Sequence, residues 1–440
     1  MMNRINSMTR IKQLILGLTL GLAFLLPVVQ ARQVWADSAY DAPAKAAIAI
    51  DPDSGKILYA KNADEAMGIA STTKLLTAYM TLDAIKKGTL HWEDKVEMSE
   101  YAYALTQDPQ VSNIAVMDPK EAFTIRDLFN AAMIQSANSA AITLAEKIGG
   151  SEPKFVDMMK TQLAYWGITA AKLVNASGLN NSILGNNIYP GSSETDENML
   201  SAKDLAIISQ HLIRDFPEVL DVTKQTIATF DKGGASEQTL ATYNYMLMGL
   251  PAARGGVDGL KTGTTEFAGA CFVGTTVQND FRIITVVLNA DNADTDEYAR
   301  FTATGSLMNE VYGNWQAQKI ATKGIKMDNA EAPTKLTVVD GQKTSVNVLP
   351  ADDFSTVVPM SDTDATTSIS FNKKQAAPVT AAIKKNQKLV KVSFQIKDKL
   401  GYLPGSDGNT FYLTATQSVP RSNAVKVMWN HFVKFVNDKL

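Results

Sequence analysis

The chain has 440 residues, 45% of them hydrophobic and 20% charged, with a formal net charge of −3. That length allows one large domain or two to three smaller ones, each with its own core, and the charge balance gives no footprint for nucleic acid. A single cysteine, Cys271, excludes an internal disulfide and a cysteine-based zinc cluster, and three scattered histidines, His91, His211 and His431, give no clustered metal-ligand set.

Taken in chain order, Arg4, Arg10 and Lys12 precede an uncharged apolar run from Leu14 to Val29, followed by small-residue sites ending at Ala31 and Ala36. Residues 1–36 therefore read as an export signal cut after one of those alanines; the other reading is an uncleaved membrane anchor, for which the run falls short of the ~20 residues a span needs. The stretch AAIAIDPDSGKILYAKN (46–62) alternates around a D-P-D-S-G turn and predicts a β-hairpin. Helical periodicity follows from Ser71 to about Ile213, opening with a helix that reads as amphipathic. One polar stretch interrupts it, NNSILGNNIYPGSSETDEN (180–198), too long for an ordinary connector and so a candidate loop over a site. Within the helical region, residues 124–150 predict a helix capped by Thr124, a break at Ser136-Ala137-Asn138, and a second helix ending at Gly149-Gly150. Ser201 with Asp204 predicts a capping box. A second hairpin is expected over 269–290, turning at Gln278-Asn279-Asp280, with a helix from about Asp294 to Trp315.

Strands at both ends with helices between them predict one antiparallel sheet covered by helices. Residues 318–420, rich in short alternating runs, predict a separate small all-β domain. In residues 421–440, Val425, Met428, Trp429, Phe432, Val433, Val436 and Leu440 form one helical stripe opposite Lys426, Asn430, Lys434, Asn437 and Lys439. Such a helix is too short and charged to cross a bilayer but suits its interface, and the other reading is a terminal helix packed on the β domain.

Three motifs carry chemistry. Ser71 and Lys74, three apart, share a helical face, and Leu75, Leu76, Tyr79 and Met80 around the lysine penalise its charged form, making it a base for the hydroxyl. The same S-x-x-K spacing recurs at Ser151–Lys154 and Ser370–Lys373, and a helix-capping serine accounts equally well for Ser71 on its own. The break at 136–138 offers a second hydroxyl, Ser136, and an amide, Asn138. In GGVDGLKTGTTEFAGACFVG (255–274), Lys261 and Thr262 at the start of a strand suit a carboxylate, and Gly263 leaves room for it.

S-x-x-K, S-x-N and K-T-G in that order are the signature of penicillin-binding proteins and serine β-lactamases. Over nearly its whole length the sequence resembles the low-molecular-mass D-alanyl-D-alanine carboxypeptidases, serine peptidases of the S11 type that trim peptidoglycan stem peptides. The resemblance implies an α+β DD-peptidase/serine β-lactamase-like domain over 37–317, ahead of the β domain and the anchor helix. It implies that Ser71 attacks the carbonyl between the terminal D-alanines while Lys74 takes its proton. Ser136 then relays a proton to the leaving amine, and Asn138 holds Lys74 and the substrate amide. Lys261 and Thr262 bind the terminal carboxylate beside Gly263 and Thr264, and the Ser71 and Thr264 backbone N–H groups form the oxyanion hole. The implied partners are the stem peptide, β-lactams as covalent inhibitors and a membrane surface, at the outer face of the cytoplasmic membrane. No sequence feature calls for a metal or organic cofactor.

The chain departs from many relatives at Ala137 (often Gly), Ser139 (often Asp) and Thr264 (often His). Since the last position needs only its backbone N–H, a change in rate rather than in reaction type is expected. A D,D-endopeptidase shares all these motifs. A class A β-lactamase needs a glutamate in an E-x-x-L-N segment, whereas ENMLS here has Ser201 in place of the asparagine. A non-enzymatic wall-binding protein is opposed by the intact Ser71, Lys74, Ser136, Asn138 and Lys261. Cys271 reads as a small apolar strand residue.

Overall fold

A computed structural model describes residues 40–439 apart from 109–110, 112, 328–331, 361–368, 372–376, 397–398 and 407, so the export signal expected over 1–36 lies outside the described residues. The 46–62 alternation folds as a hairpin of β1 (Ala44–Ile50) and β2 (Ile57–Lys61). Asp51 ties its turn by accepting from the backbone N–H groups of Asp53 and Ser54. Near the other end of the domain, β3 (Val257–Thr265), β4 (Gly269–Gln278) and β5 (Phe281–Ala290) form a meander. Asn279 and Asp280 take positive φ at the β4–β5 turn, a conformation these side chains tolerate. The five strands make one antiparallel sheet in the order β2-β1-β5-β4-β3. Both ends of the domain therefore meet in a single sheet, as the strand–helix–strand pattern predicts.

The two-residue period of the strands divides the core. Ile48, Ile50, Val273, Ile284, Val286 and Leu288 belong to the apolar cluster that includes the helices α1 (Lys74–Lys86), α2 (Ile125–Ile134), α3 (Asn138–Gly149) and α4 (Ala202–Asp215). Phe272, one residue before Val273, meets Phe301 of α5 (Ala299–Asn314) edge-on at 5.3 Å. The expected caps form: Thr124 accepts from Asp127 N, Gly150 ends α3 at φ 76°, and Ser201 and Asp204 make a reciprocal capping box. Helix α5 starts five residues later than the pattern predicted, because Asn292 and Asp296 hold the preceding segment in turns.

A further expectation fails. The helix carrying the S-x-x-K lysine is not amphipathic: ten of its thirteen residues are buried, because α2, α3, α4 and the helix Glu152–Tyr165 surround it. Ser71 itself precedes it, in a 3₁₀ turn spanning Ala70–Thr73, and is not an N-cap.

A strand, Trp315–Ala321, pairs with Phe354–Pro359. Beyond it lies a six-stranded sheet ordered Ile369–Phe371, Lys388–Ile396, Asn409–Ala415, Ser345–Pro350, Lys335–Val339 and Val379–Thr380, with its own core around Leu336, Val346, Phe394, Phe411 and Leu413. The loop 400–406 docks on the β1–β2 turn: Ile57 N donates to Gly401 O at 3.1 Å and Leu403 N to Gly55 O at 2.8 Å. Lys56 is wholly buried at this seam. It donates to Ile57 O and Gly401 O at 2.9 Å and lies 5.4 Å and 5.3 Å from the ring centroids of Trp315 and Tyr402.

Candidate active site

The 3₁₀ turn that presents Ser71 is held from several sides. Thr72 Oγ1 donates to Ile69 O at 2.6 Å and Thr73 Oγ1 to Ala70 O at 2.8 Å, while Ala70 adopts φ 45°. Asn198 Nδ2 donates to Thr73 Oγ1 at 3.0 Å, and Asn198 O accepts from Ile69 N. Two glycines let backbones come within contact of this turn. A Cβ on Gly178 would lie 1.9 Å from Ala70 O, and one on Gly263 would lie 3.0 Å from Ser71 N. The K-T-G strand is thus pressed against the serine turn, which is why only hydrogen fits at residue 263.

Three segments far apart in sequence converge on Lys74. Its Nζ, fully buried, lies 3.0 Å from Ser71 Oγ, 2.7 Å from Asn138 Oδ1 and 2.7 Å from Ser177 O. All three are neutral oxygens. Burial, and then the positive charge of Lys261, hold the Lys74 ammonium well below the ordinary lysine value of 10.5. Asn138 is fixed at its other end by donating to Val111 O at 2.7 Å. Ser136 sits in the break between α2 and α3 at φ 61°, a strained conformation for a serine, and its carbonyl accepts from Asn113 Nδ2 at 3.0 Å.

Lys261 and Thr262 lie within β3 rather than at its start, because Val257 and Gly259 already pair with β4. Lys261 is buried, donates to Thr262 O at 3.0 Å, and is brought down to about 7 by burial and the nearby Arg300 charge. Ser71, Ser136, Asn138, Thr262, Gly263 and Thr264 line one cleft of about 560 Å³. The eight residues expected from the motifs are thus gathered at one place, Lys74 and Lys261 buried behind the cleft wall.

The motifs do not reveal other groups at the site. Arg300, on α5, also lines the cleft and donates to Gly263 O (2.8 Å), Cys271 O (3.2 Å) and Thr264 Oγ1 (2.7 Å), bracing the strand that faces Ser71. Asn175 Oδ1 accepts from Gly178 N at 2.6 Å and from Ser177 N at 3.2 Å, shaping the turn that carries Ser177 O to Lys74. The N-A-S-G run at 175–178 is a turn signal that was available in the sequence. Glu197, the first residue of the ENMLS segment, is buried and accepts from Asn180 Nδ2 (3.0 Å) and Thr265 Oγ1 (2.7 Å), tying the 180–198 loop to the end of β3. That loop lines the cleft through Asn180, Ser182 and Ile183. Cys271 is buried with its thiol pushed up to about 11, inert as expected. His211 stacks on Trp166 at 4.3 Å, away from the cleft.

Residues 33–292 match the family described as D-alanyl-D-alanine carboxypeptidase (peptidase S11), and residues 315–421 match the C-terminal domain of penicillin-binding protein 5. D-alanyl-D-alanine carboxypeptidase DacC of Escherichia coli (strain K12) is 30% identical over 405 residues, 89% of this chain and 90% of that protein. The crystal structure of a peptidoglycan synthesis regulatory factor (PBP3) from Streptococcus pneumoniae superposes with a TM-score of 0.78 at 40% identity, covering 86% of this chain and all of that one. Penicillin-binding protein D2 from Listeria monocytogenes, in an ampicillin-bound form, matches at 33% identity with a TM-score of 0.50, over 62% of this chain and 98% of its own. With the fold, the order of the motifs and these matches in agreement, the chain belongs to the D-alanyl-D-alanine carboxypeptidase family of serine peptidases.

Proposed function

We propose that the protein removes the terminal D-alanine from peptidoglycan stem pentapeptides through an acyl-enzyme on Ser71, and that β-lactams acylate the same hydroxyl. The observation that carries this reading is the set of partners around Lys74 Nζ. A neutral lysine amine has two N–H donors and one lone pair. The shorter contacts, to Asn138 Oδ1 and Ser177 O, take the two donors, and the lone pair is left facing the Ser71 hydroxyl at 3.0 Å. Lys74 is then poised to accept the serine proton as Oγ attacks the scissile carbonyl. Ser136 passes a proton to the departing amine, and Asn138 steadies both Lys74 and the substrate amide. The Ser71 and Thr264 N–H groups receive the oxyanion, at ~3 kcal/mol per donor. Lys261, Thr262 and Thr264 bind the terminal carboxylate, with the Arg300 guanidinium beside them. Water then cleaves the ester.

The chain organisation fits work outside the cytoplasmic membrane: an export signal at 1–36, the catalytic domain over 37–317, a β spacer over 318–420 and an interfacial helix over 421–440. Among the described residues no helix is long and apolar enough to cross a membrane. In α6 (Ala424–Lys439), Val425, Met428, Phe432 and Phe435 are exposed, and Trp429 is 64% exposed, as suits a helix that buries this stripe in lipid headgroups. Leu440, the end of the expected stripe, lies outside the described residues.

The test is D-alanine release from a soluble stem pentapeptide ending in D-Ala-D-Ala, with and without penicillin pretreatment, together with labelling by a fluorescent penicillin. Penicillin-sensitive release and labelling, both abolished in Ser71→Ala, are expected. A protein that neither labels nor releases D-alanine overturns the reading.

A further inference from the structure

The second S-x-x-K spacing, Ser151 to Lys154, serves the fold: Ser151 caps the helix Glu152–Tyr165 by accepting from Lys154 N, and Lys154 is exposed. Between them Glu152 turns inward. It is 4% exposed, although it stands in the first turn of a helix, where a carboxylate ordinarily faces water. None of the three motifs includes it, and it does not line the cleft.

Its two oxygens meet two partners. Oε1 accepts from Ala176 N at 2.8 Å, and Oε2 accepts from the Tyr101 hydroxyl at 3.2 Å. Ala176 directly precedes Ser177, whose carbonyl takes one donor of Lys74 Nζ. The other side of Ala176 is held as well, since Thr77 Oγ1 of α1 donates to Ala176 O at 2.7 Å. Residue 176 is thus pinned through its N–H to one helix and through its C=O to another, and the two pins fix where the next carbonyl, Ser177 O, points. Lys74 depends on that direction. With Ser177 O in place, both N–H donors of the neutral amine are occupied and its lone pair faces Ser71. With Ser177 O drawn back, a freed N–H turns to the serine hydroxyl, and an amine that donates to Oγ does not take its proton.

Building on the acyl-enzyme reading, we propose that Glu152 is a positioning residue for the reaction: by holding Ala176 N it keeps Ser177 O against Lys74, and so keeps the Lys74 lone pair on Ser71. Burial pushes the Glu152 carboxyl up to about 7, against the bonds from Ala176 N and Tyr101, and the charge of Glu146 pushes the same way as burial. The anchor does not depend on that proton. A neutral carboxyl keeps its C=O oxygen for Ala176 N and turns its O–H to Tyr101 Oη, which can accept it. One acceptor oxygen suffices, and glutamine supplies it.

The experiment is stopped-flow acylation of the full-length protein by a fluorescent penicillin, resolved into the affinity of the complex that precedes the bond and the rate constant of bond formation. Glu152→Ala should lower the rate constant about tenfold or more and leave the affinity within about twofold, because Lys261 and Thr262 are untouched. Glu152→Gln should hold the rate constant within about twofold of the wild type and leave the acid limb of its pH profile, which belongs to Lys74, where it was. Tyr101→Phe removes only the bond to the other oxygen and should also acylate within about twofold of the wild type. Thr77→Val pulls the opposite pin with a side chain of the same shape, so it should lower the rate constant with the affinity kept, and it guards against a folding defect in Glu152→Ala. Wild-type acylation by Glu152→Ala overturns the proposal, as does an equal loss in Glu152→Gln or Tyr101→Phe, or a parallel loss of affinity and rate. A wild type that is acylated yet releases no D-alanine overturns the carboxypeptidase reading and spares the role of Glu152.

Discussion

Lys74 and Lys56 are both completely buried, and the molecule puts them to opposite uses. Around Lys74 the partners are a hydroxyl, an amide oxygen and a carbonyl, with a second lysine close enough to repel its charge. Around Lys56 the partners include two carbonyl oxygens and the faces of Trp315 and Tyr402, which attract a cation. The lesson is that burial alone does not make a lysine reactive. A base results where a buried amine faces a hydroxyl and another positive charge, and a clamp results where π faces and carbonyls welcome the ammonium.

Substitutions can break this contrast. Lys74→Met should lower the rate of acylation by penicillin by about 10³-fold or more, while costing less stability than the same change at Lys56, since the donors lost to Asn138 Oδ1 and Ser177 O are offset by removing a poorly solvated amine beside a second positive charge. A stopped-flow acylation rate and a thermal melt check both halves. The next largest effect should be in the pH profile. Because the neutral form of Lys74 is the base, acylation should fall as pH is lowered through its depressed value, and this limb should vanish in Lys74→Met. Because the charged form of Lys261 binds the carboxylate, kcat/KM of the free enzyme should fall again above about 7. A substrate whose terminal carboxylate is amidated should lack that second limb.

At the seam the balance is reversed. Lys56→Met should cost about 1–3 kcal/mol in urea unfolding, because buried carbonyls lose their donor and the rings lose their cation, with D-alanine release changed less than about threefold. Tyr402→Leu, which removes one π face and the hydroxyl that accepts from Asn409 Nδ2 at 2.7 Å, should cost about 1 kcal/mol. If Lys56→Met instead abolishes activity on a soluble peptide, the division between base and clamp fails.

Much of this was legible in the sequence, and the reason is local chemistry. Thr124, Gly150 and the Ser201–Asp204 pair announce their helix ends through side chains that bond to neighbouring backbone, and the two hairpins announce themselves through alternation and turn residues. The three motifs were legible because their chemistry fixes residue types at short spacing. What was hidden depends on contacts between distant segments. Arg300 sits on an unremarked helix face and gains its role because α5 packs beside β3 and β4. Asn198 and Gly178 matter because their loops meet the serine turn, and no periodicity records that meeting. Helix α1 looked amphipathic because its polar residues, Thr77 and Thr81 among them, satisfy themselves internally while buried, by donating to Ala176 O and Thr77 O.

The pairing of β1 with β5 has a kinetic consequence. Lys45 bonds Asp291 across a separation of 246 residues, and every rung between these strands closes a loop of comparable size. Contacts of such long range form slowly. The serine turn rests against β3, and β3 is anchored through β4 to β5, so a chain emerging N-terminus first cannot assemble a working nucleophile until its last sheet strands have arrived. The protein stays chemically silent through its own synthesis. The same delay leaves the β1–β2 hairpin with an unpaired edge until β5 arrives.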